Sequence, residues 1–226
     1  DPSLDLVERL TRFRDRGLSS DTSIFADFGI EQTLVAVKSA GLLSSVRRVA
    51  IVGPGLDFTD KHEGYDFYPE QTSQPFAVID SLVRLGLADT GQLRLTTFDL
   101  SARINHHLAT VRERAASGDA YVLQLPRPLD VPWTPGLEEY WAHFGDRIGE
   151  ETAASAVPPT AGKMQLRAVR VRPAVMNLIT PQDLNIVVQR LEPLGADARF
   201  DLVIATNVLT YYDAFEQSLA LLNIAA

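Results

Sequence analysis

Gly53, Pro54 and Gly55 follow directly on the apolar run 49–52. A glycine-bearing turn at the end of a strand buried on both faces lets backbone N–H groups approach a ligand closely, which is how an α/β protein begins a nucleotide site. Two further polar residues stand near the ends of expected strands: Asp99 directly after 93–98, and Asn207 shortly after 200–205. An acidic residue closing the second strand of such a fold accepts hydrogen bonds from ribose hydroxyls. Asp99 lies 46 positions past Gly53, against about 20 in the standard fingerprint. The nineteen-residue stretch 56–74 accounts for the excess. That stretch holds Asp57, Asp60, Glu63, Asp66 and Glu70 with Tyr65, Phe67 and Tyr68. Such a mixture could cage a cation or a small polar substrate, or form a solvated excursion anchored by its aromatic rings. His106 and His107 are adjacent, but no further ligands stand nearby at workable spacing, and no metal site is expected. With no cysteine in the chain, disulfides, thiolate metal sites and a thiol nucleophile are excluded.

These residues require a scaffold of strands and helices. Residues 3–16 carry Leu6, Leu10 and Phe13 at helical spacing, and Ile30, Leu34 and Val37 mark a second helix over 30–40 that ends at Gly41. Together they make a helical lead-in over 1–45. It reads as a packing layer over the sheet edge, or as a lid that reaches the ligand through Phe25 and Phe28 in the connecting loop. Pro75 opens a helix with Phe76, Ile79 and Val83 on one face, and 102–116 carries Ile104, Leu108, Val111 and Ala115 in helical register. Residues 119–163 fit no strand–helix unit. They hold six of the thirteen prolines and both tryptophans, Trp133 and Trp141. They read as an insertion peripheral to the sheet, mobile around 152–163, which could shape a substrate pocket with Trp141, His143, Phe144 and Asp146 or serve as a partner-binding flap. Leu166 to Val171 alternates apolar and basic residues as a half-exposed strand would, and Thr180-Pro181 reads as the start of a short helix carrying Leu184, Val187, Val188 and Leu191. After 200–205, Asp213 and Glu216 form a capping box for a last helix.

The expected fold is therefore α/β: a Rossmann-like, mainly parallel sheet flanked by helices over 46–226, with N-terminal helices and an insertion at 119–163. Its strands lie at 48–53, 93–98, 166–171 and 200–205, in the order 3-2-1-4. The 226 residues, 46% hydrophobic, can bury one substantial core, and no apolar run approaches the length of a membrane span. The net charge of −8 and the lack of a basic run argue against nucleic acid or a membrane surface as partner. A soluble, cytoplasmic protein is expected. The chain begins at Asp1 without an initiator Met, which leaves room for a removed tag or cleaved signal upstream.

The segment Ala50-Ile51-Val52-Gly53-Pro54-Gly55 resembles motif I of class I S-adenosylmethionine-dependent methyltransferases. The segment Phe200-Asp201-Leu202-Val203-Ile204-Ala205-Thr206-Asn207-Val208-Leu209-Thr210-Tyr211-Tyr212-Asp213 resembles their fourth-strand motif. Asn177-Leu178 and Asn207-Val208-Leu209-x-Tyr211 are similar to the pattern of chemotaxis-receptor methyltransferases, in which an Asn-Leu pair follows the third strand. The likeness covers roughly 46–226. It implies a fold of the class I methyltransferase type with S-adenosylmethionine as cofactor. Gly53, Pro54, Gly55 and Asp57 would line its methionine end, Asp99 and Leu100 its ribose, Asn177 and Leu178 its adenine, and Asn207 the sulfonium.

The chain departs from the family at Ile51, where an acidic residue is usual, and at Asp57, where a third glycine is usual. It also ends before three further strands of the family sheet, so it reads either as a fragment or as a cofactor half standing without them. Two functions of different class follow. One is methyl transfer to a small-molecule or protein acceptor. The other is a nucleotide-binding or structural module that kept the scaffold without turnover. A nicotinamide or flavin oxidoreductase is disfavoured by Phe58 at the third glycine of the dinucleotide fingerprint. Methyl transfer is an in-line displacement that needs alignment more than a base. Asp66, His143 and Asp146 are candidates for one by location alone, and no catalytic residue is assigned.

Overall fold

The computed structural model describes residues 23–57, 67–191, 195, 198–206 and 208–225. Its order is α1 (Ile24–Ser39), β1 (Arg48–Val52), α2 (Gln74–Arg84), β2 (Arg94–Asp99), α3 (Ala102–Ser117), β3 (Tyr121–Pro128), α4 (Pro135–His143), β4 (Gly149–Thr152), β5 (Met164–Val171), a short α5 (Pro173–Met176), β6 (Ile179–Asp183), β7 (Leu202–Ala205) and α6 (Ala214–Ala225). Four strands form one parallel sheet in the order β6-β2-β1-β7. This is the expected Rossmann-like α/β arrangement, with β1 central because 49–52 is apolar on both faces. Val49 and Ile51 point to one layer and Ala50 and Val52 to the other.

The third strand of that sheet is β6, not 166–171. Leu166 to Val171 instead belongs to β5, the middle of a separate antiparallel sheet ordered β3-β5-β4. The physical reason lies in its alternation. Arg170 is exposed between buried Val169 and Val171, which suits a sheet with one wet face and not a strand covered on both. Nor does Thr180-Pro181 begin a helix, since both residues lie inside β6, paired with Thr96 and Thr97 of β2. Proline is tolerated there because β6 ends the sheet order, and an edge strand can spare a donor.

Residues 119–163 are not peripheral. Leu123, Trp141, Phe144 and Ile148 share one buried cluster with Val49, Ile51 and Phe76. The reason is α2, whose residues from Gln74 through Leu82 are all buried. A helix buried all round needs cover on the side away from its sheet, and the second sheet supplies it: the ring of Phe76 lies 5.2 Å from that of Tyr121 on β3. Two charged side chains of α2 have partners here. Asp80 Oδ1 accepts from the Arg147 N–H at 2.9 Å, and Arg84 pairs with Glu31 of α1. Burial raises the Asp80 carboxyl above its ordinary range despite the Arg84 charge beside it.

Helix α1 begins at Ile24, earlier than its apolar spacing predicts, so Phe25 and Phe28 are helical residues and not loop residues. Phe25 meets Trp133 edge-on at 5.5 Å and the Phe28 ring lies tilted against Tyr140 at 5.6 Å, so this pair packs on α4 and the segment before it and does not form a lid. The expected helix at 3–16 lies outside the described residues. On the far face of the parallel sheet, α6 starts with the predicted capping box: Asp213 Oδ1 accepts from the Glu216 N–H at 2.9 Å, and Glu216 Oε2 from the Asp213 N–H at 3.0 Å. Among the described residues, no helix is long and apolar enough to cross a membrane.

Candidate functional site

Strand register brings one row of residues to the carboxyl edge of the parallel sheet. Asp99 pairs with Asp183 at the last position of β2 and β6. One position past the last pair of β1, Gly53 lies beside Asp99 on one side and Thr206 on the other, its N–H donating to the Phe98 carbonyl at 2.9 Å. The row Asp183, Asp99, Gly53, Thr206 thus spans the point where the connections leave β1 and β7 to opposite faces. Open α/β sheets bind ligands at this place.

Gly53 and Gly55 both adopt left-handed φ, of 70° and 66°. A side chain at Gly53 would be strained by that backbone and would also meet Val208 at 3.5 Å. Behind the turn, the Gln74 amide at the start of α2 donates through Nε2 to Thr206 Oγ1 at 2.6 Å, tying α2 to the end of β7. Gln74 Oε1 is buried without a hydrogen-bond partner, leaving one acceptor in the wall of the crevice uncommitted.

Asp99 is held by its own turn. Oδ1 accepts from the Ser101 N–H at 2.8 Å, and the Asn105 amide donates to the Asp99 carbonyl at 2.9 Å. Burial pushes its carboxyl up from 3.8 to about 6, against the lowering effect of the Ser101 and Leu100 N–H groups and with some help from the Asp183 charge. Leu100 beside it is 54% exposed, a large apolar side chain left uncovered at the same edge.

Other expected site residues are placed elsewhere. Asn177 and Leu178 precede β6, and the Leu178 carbonyl accepts from the Leu95 N–H at the start of β2. They therefore sit at the amino end of the sheet, about 16 Å of strand away from Asp183 at ~3.3 Å per residue. The asparagine–apolar pair that does follow the third strand is Asn185-Ile186. Asp57 is 6% exposed and faces inward: its N–H donates to the Gln71 carbonyl, and its Oδ2 accepts from Gln71 Nε2 at 3.1 Å. Gln71 in turn exchanges hydrogen bonds with the backbone of Gln124 on β3. The side chain that departs from the family pattern at this position is used to pin a loop to the second sheet.

Asn207 and Asp66 lie outside the described residues, as do the other residues of 58–66 in the acidic loop. Trp141 and Phe144 are core residues, while His143 and Asp146 bond each other at 3.1 Å on the surface. These four do not line a common pocket. His107 is partly buried: the Tyr121 hydroxyl accepts from the Thr72 N–H and shares a hydrogen bond with His107 Nε2, each at 2.9 Å. Burial, with Arg114 and Arg103 nearby, lowers its pKa to about 4, so the ring is neutral. Among the described residues, no group of three or more His, Asp or Glu has the arrangement of a metal site.

Gln74, Thr206 and Asp183 were not singled out from the sequence. Asp183 was hidden because Thr180-Pro181 mimics a helix start, although Ile179-Thr180 carries the β-branched signal of a strand. Comparison of the chain with protein-family models finds no match, and comparison with curated proteins finds none.

Proposed function

We propose that the crevice at the carboxyl edge binds an S-adenosyl cofactor and that the protein transfers its methyl group to a small-molecule or protein acceptor. The observation that carries this reading is the adjacency of the left-handed Gly53–Gly55 turn and the Asp99 carboxylate beside the switch between β1 and β7. In this reading Asp99 takes the ribose hydroxyls, and Leu100 offers an apolar surface to the base. Asp183 and Asn185-Ile186 fill the place first given to Asn177 and Leu178. Gln74 Oε1 is an acceptor for the ammonium of the amino acid end, where the family's acidic residue is replaced by Ile51.

When bound, the cofactor supplies a methyl group activated on a sulfonium. The work left to the chain is to hold the acceptor in line with that carbon and to exclude water, which needs no committed base. Left-handed backbone at Gly53 and Gly55 favours a close approach of ligand to main chain, and the Gln74–Thr206 bond fixes the two walls at one spacing.

A second reading, a binding module without turnover, draws on the inward turn of Asp57, which removes one expected contact from the crevice. Calorimetric titration with S-adenosylmethionine, S-adenosylhomocysteine and NAD separates the two from each other and from a dinucleotide site. Binding of both S-adenosyl compounds but not NAD is the expected result. Saturable binding with no methyl transferred to any acceptor fraction would favour the module, and absence of S-adenosylhomocysteine binding would reject methyl transfer.

A further inference from the structure

The opposite face of the parallel sheet carries a cavity of about 230 Å3. Its floor is Ala50 and Val52 of β1, its sides include Phe98 and Phe200, whose rings meet edge-on at 5.9 Å, and Leu184 and Ile224 close it. The described residues between β6 and β7 that line it form turns and no helix, opposite the small side chain of Ala50. Two guanidinium groups, Arg190 and Arg199, line the same cavity, and neither has an ion pair or hydrogen bond among the described residues. The neighbouring amides are partly spent: Asn223 Nδ2 donates to the Ile186 and Val187 carbonyls at 2.9 Å, and Gln189 Oε1 accepts from the Asn185 N–H at 2.8 Å.

We infer that this cavity is a binding site for a small carboxylate with an apolar tail, such as a medium-chain alkyl acid, separate from the crevice at the carboxyl edge. An apolar floor with few free donors selects against sugars and nucleotides, whose hydroxyls and phosphates would be left unpaired there. Two arginines with no partner among the described residues, in a chain of net charge −8, select for an anion, and guanidinium matches a carboxylate in two parallel hydrogen bonds. The volume is below the ~300–1,000 Å3 of sites for drug-sized ligands, so the tail is short. Of the residues assigned above to the crevice, Ile186 alone also lines this cavity, and none of the glycine turn or the ribose position does, so the inference stands apart from the cofactor reading at those two places.

The test is calorimetric titration of the chain with octanoate, octanol and octylammonium at one ionic strength, with and without saturating S-adenosylhomocysteine. Octanoate is expected to bind saturably at one site, octanol more weakly, and octylammonium weakest. The double variant Arg190→Gln/Arg199→Gln, at exposed positions where folding is not at stake, should weaken octanoate by about tenfold or more and leave octanol within about twofold. Val203→Phe, which narrows the cavity from the sheet side, should weaken both, with an unchanged circular dichroism spectrum as control. Equal affinity for octanoate and octylammonium, unchanged octanoate affinity in the double arginine variant, or no saturation up to the solubility limit overturns the inference. Displacement of octanoate by S-adenosylhomocysteine would show that the two cavities are one site and would overturn it as well.

Discussion

Asp99 carries the largest consequence of any single residue at the crevice. Its carboxyl, with a pKa of about 6 in the folded chain against an ordinary 3.8, binds its proton more tightly when folded. Its contribution to stability is therefore complete below about pH 4 and is lost as pH rises through about 6, a swing of at most ~3 kcal/mol at 1.36 kcal/mol per unit. A carboxylate at the mouth of an open crevice would be solvated when the site is empty; Asp99 is instead desolvated by its neighbours. Asp99→Asn keeps the acceptor for the Ser101 N–H and removes the buried charge, so the melting temperature at pH 8 without ligand should rise. The same change should weaken S-adenosylhomocysteine by about 1.5–3 kcal/mol, the scale of a hydrogen bond to a charged group. A variant with raised stability and unchanged affinity would remove Asp99 from the binding site. His107 works in the opposite sense. Its pKa of about 4 means that the folded chain resists protonation, so its contribution falls as pH drops from about 6.5 toward 4. The two groups offset each other across this range. Asp99→Asn should therefore expose a steeper loss of stability in acid, and His107→Gln should abolish that loss, as urea midpoints measured from pH 4 to 8 would show.

Among the elements, α2 explains why the second sheet exists. It leads from the glycine turn into the core, contributes Gln74 to the crevice and is covered on its far side by β3 and the segment after α4. Phe144 is fully buried in the cluster that also contains Val49 and Ile51. Phe144→Ala should cost about 3–5 kcal/mol, as for other buried aromatic truncations. Because the cluster is continuous, hydrogen exchange should accelerate in β1 as well as in β5. Protection lost in β5 alone would mean that the second sheet unfolds independently and that the layers are coupled less than their packing indicates.

For the whole molecule, ligand binding and folding are linked. A ligand bound only by the native state at about 100 times its Kd adds ~2.7 kcal/mol. At ~2–4 °C per kcal/mol for a chain of this size, S-adenosylhomocysteine should raise the melting temperature by about 5–11 °C. NAD at equal concentration should leave it unchanged, and the reverse pattern would point to dinucleotide chemistry. Octanoate, acting at the other face, should add its own increment whether or not the crevice is filled, since binding free energies at uncoupled sites add.

What the sequence determined by itself is what local pattern can encode. The apolar run before Gly53, the left-handed turn that only glycine adopts without strain, the helix starting near Ala102 and the capping box at Asp213 all follow from residues within a few positions of one another. The order of the parallel sheet was also legible, because it follows from where the connections must cross. Which strand came third was not. Leu166 to Val171 reads as a half-exposed strand and Thr180-Pro181 as a helix start, and the outcome was set by partners far away in the chain: β3 and β4 for the first segment, β2 for the second. That outcome placed Asn177 and Leu178 at the amino end of the sheet and brought Asp183 to the carboxyl edge. Tertiary structure likewise drew Asp57 into a bond with Gln71 and made the segment around Trp141 and Phe144 part of the core. Burial depends on what a side chain finally packs against, and that partner is set by the closing of the whole fold and not by neighbours in sequence.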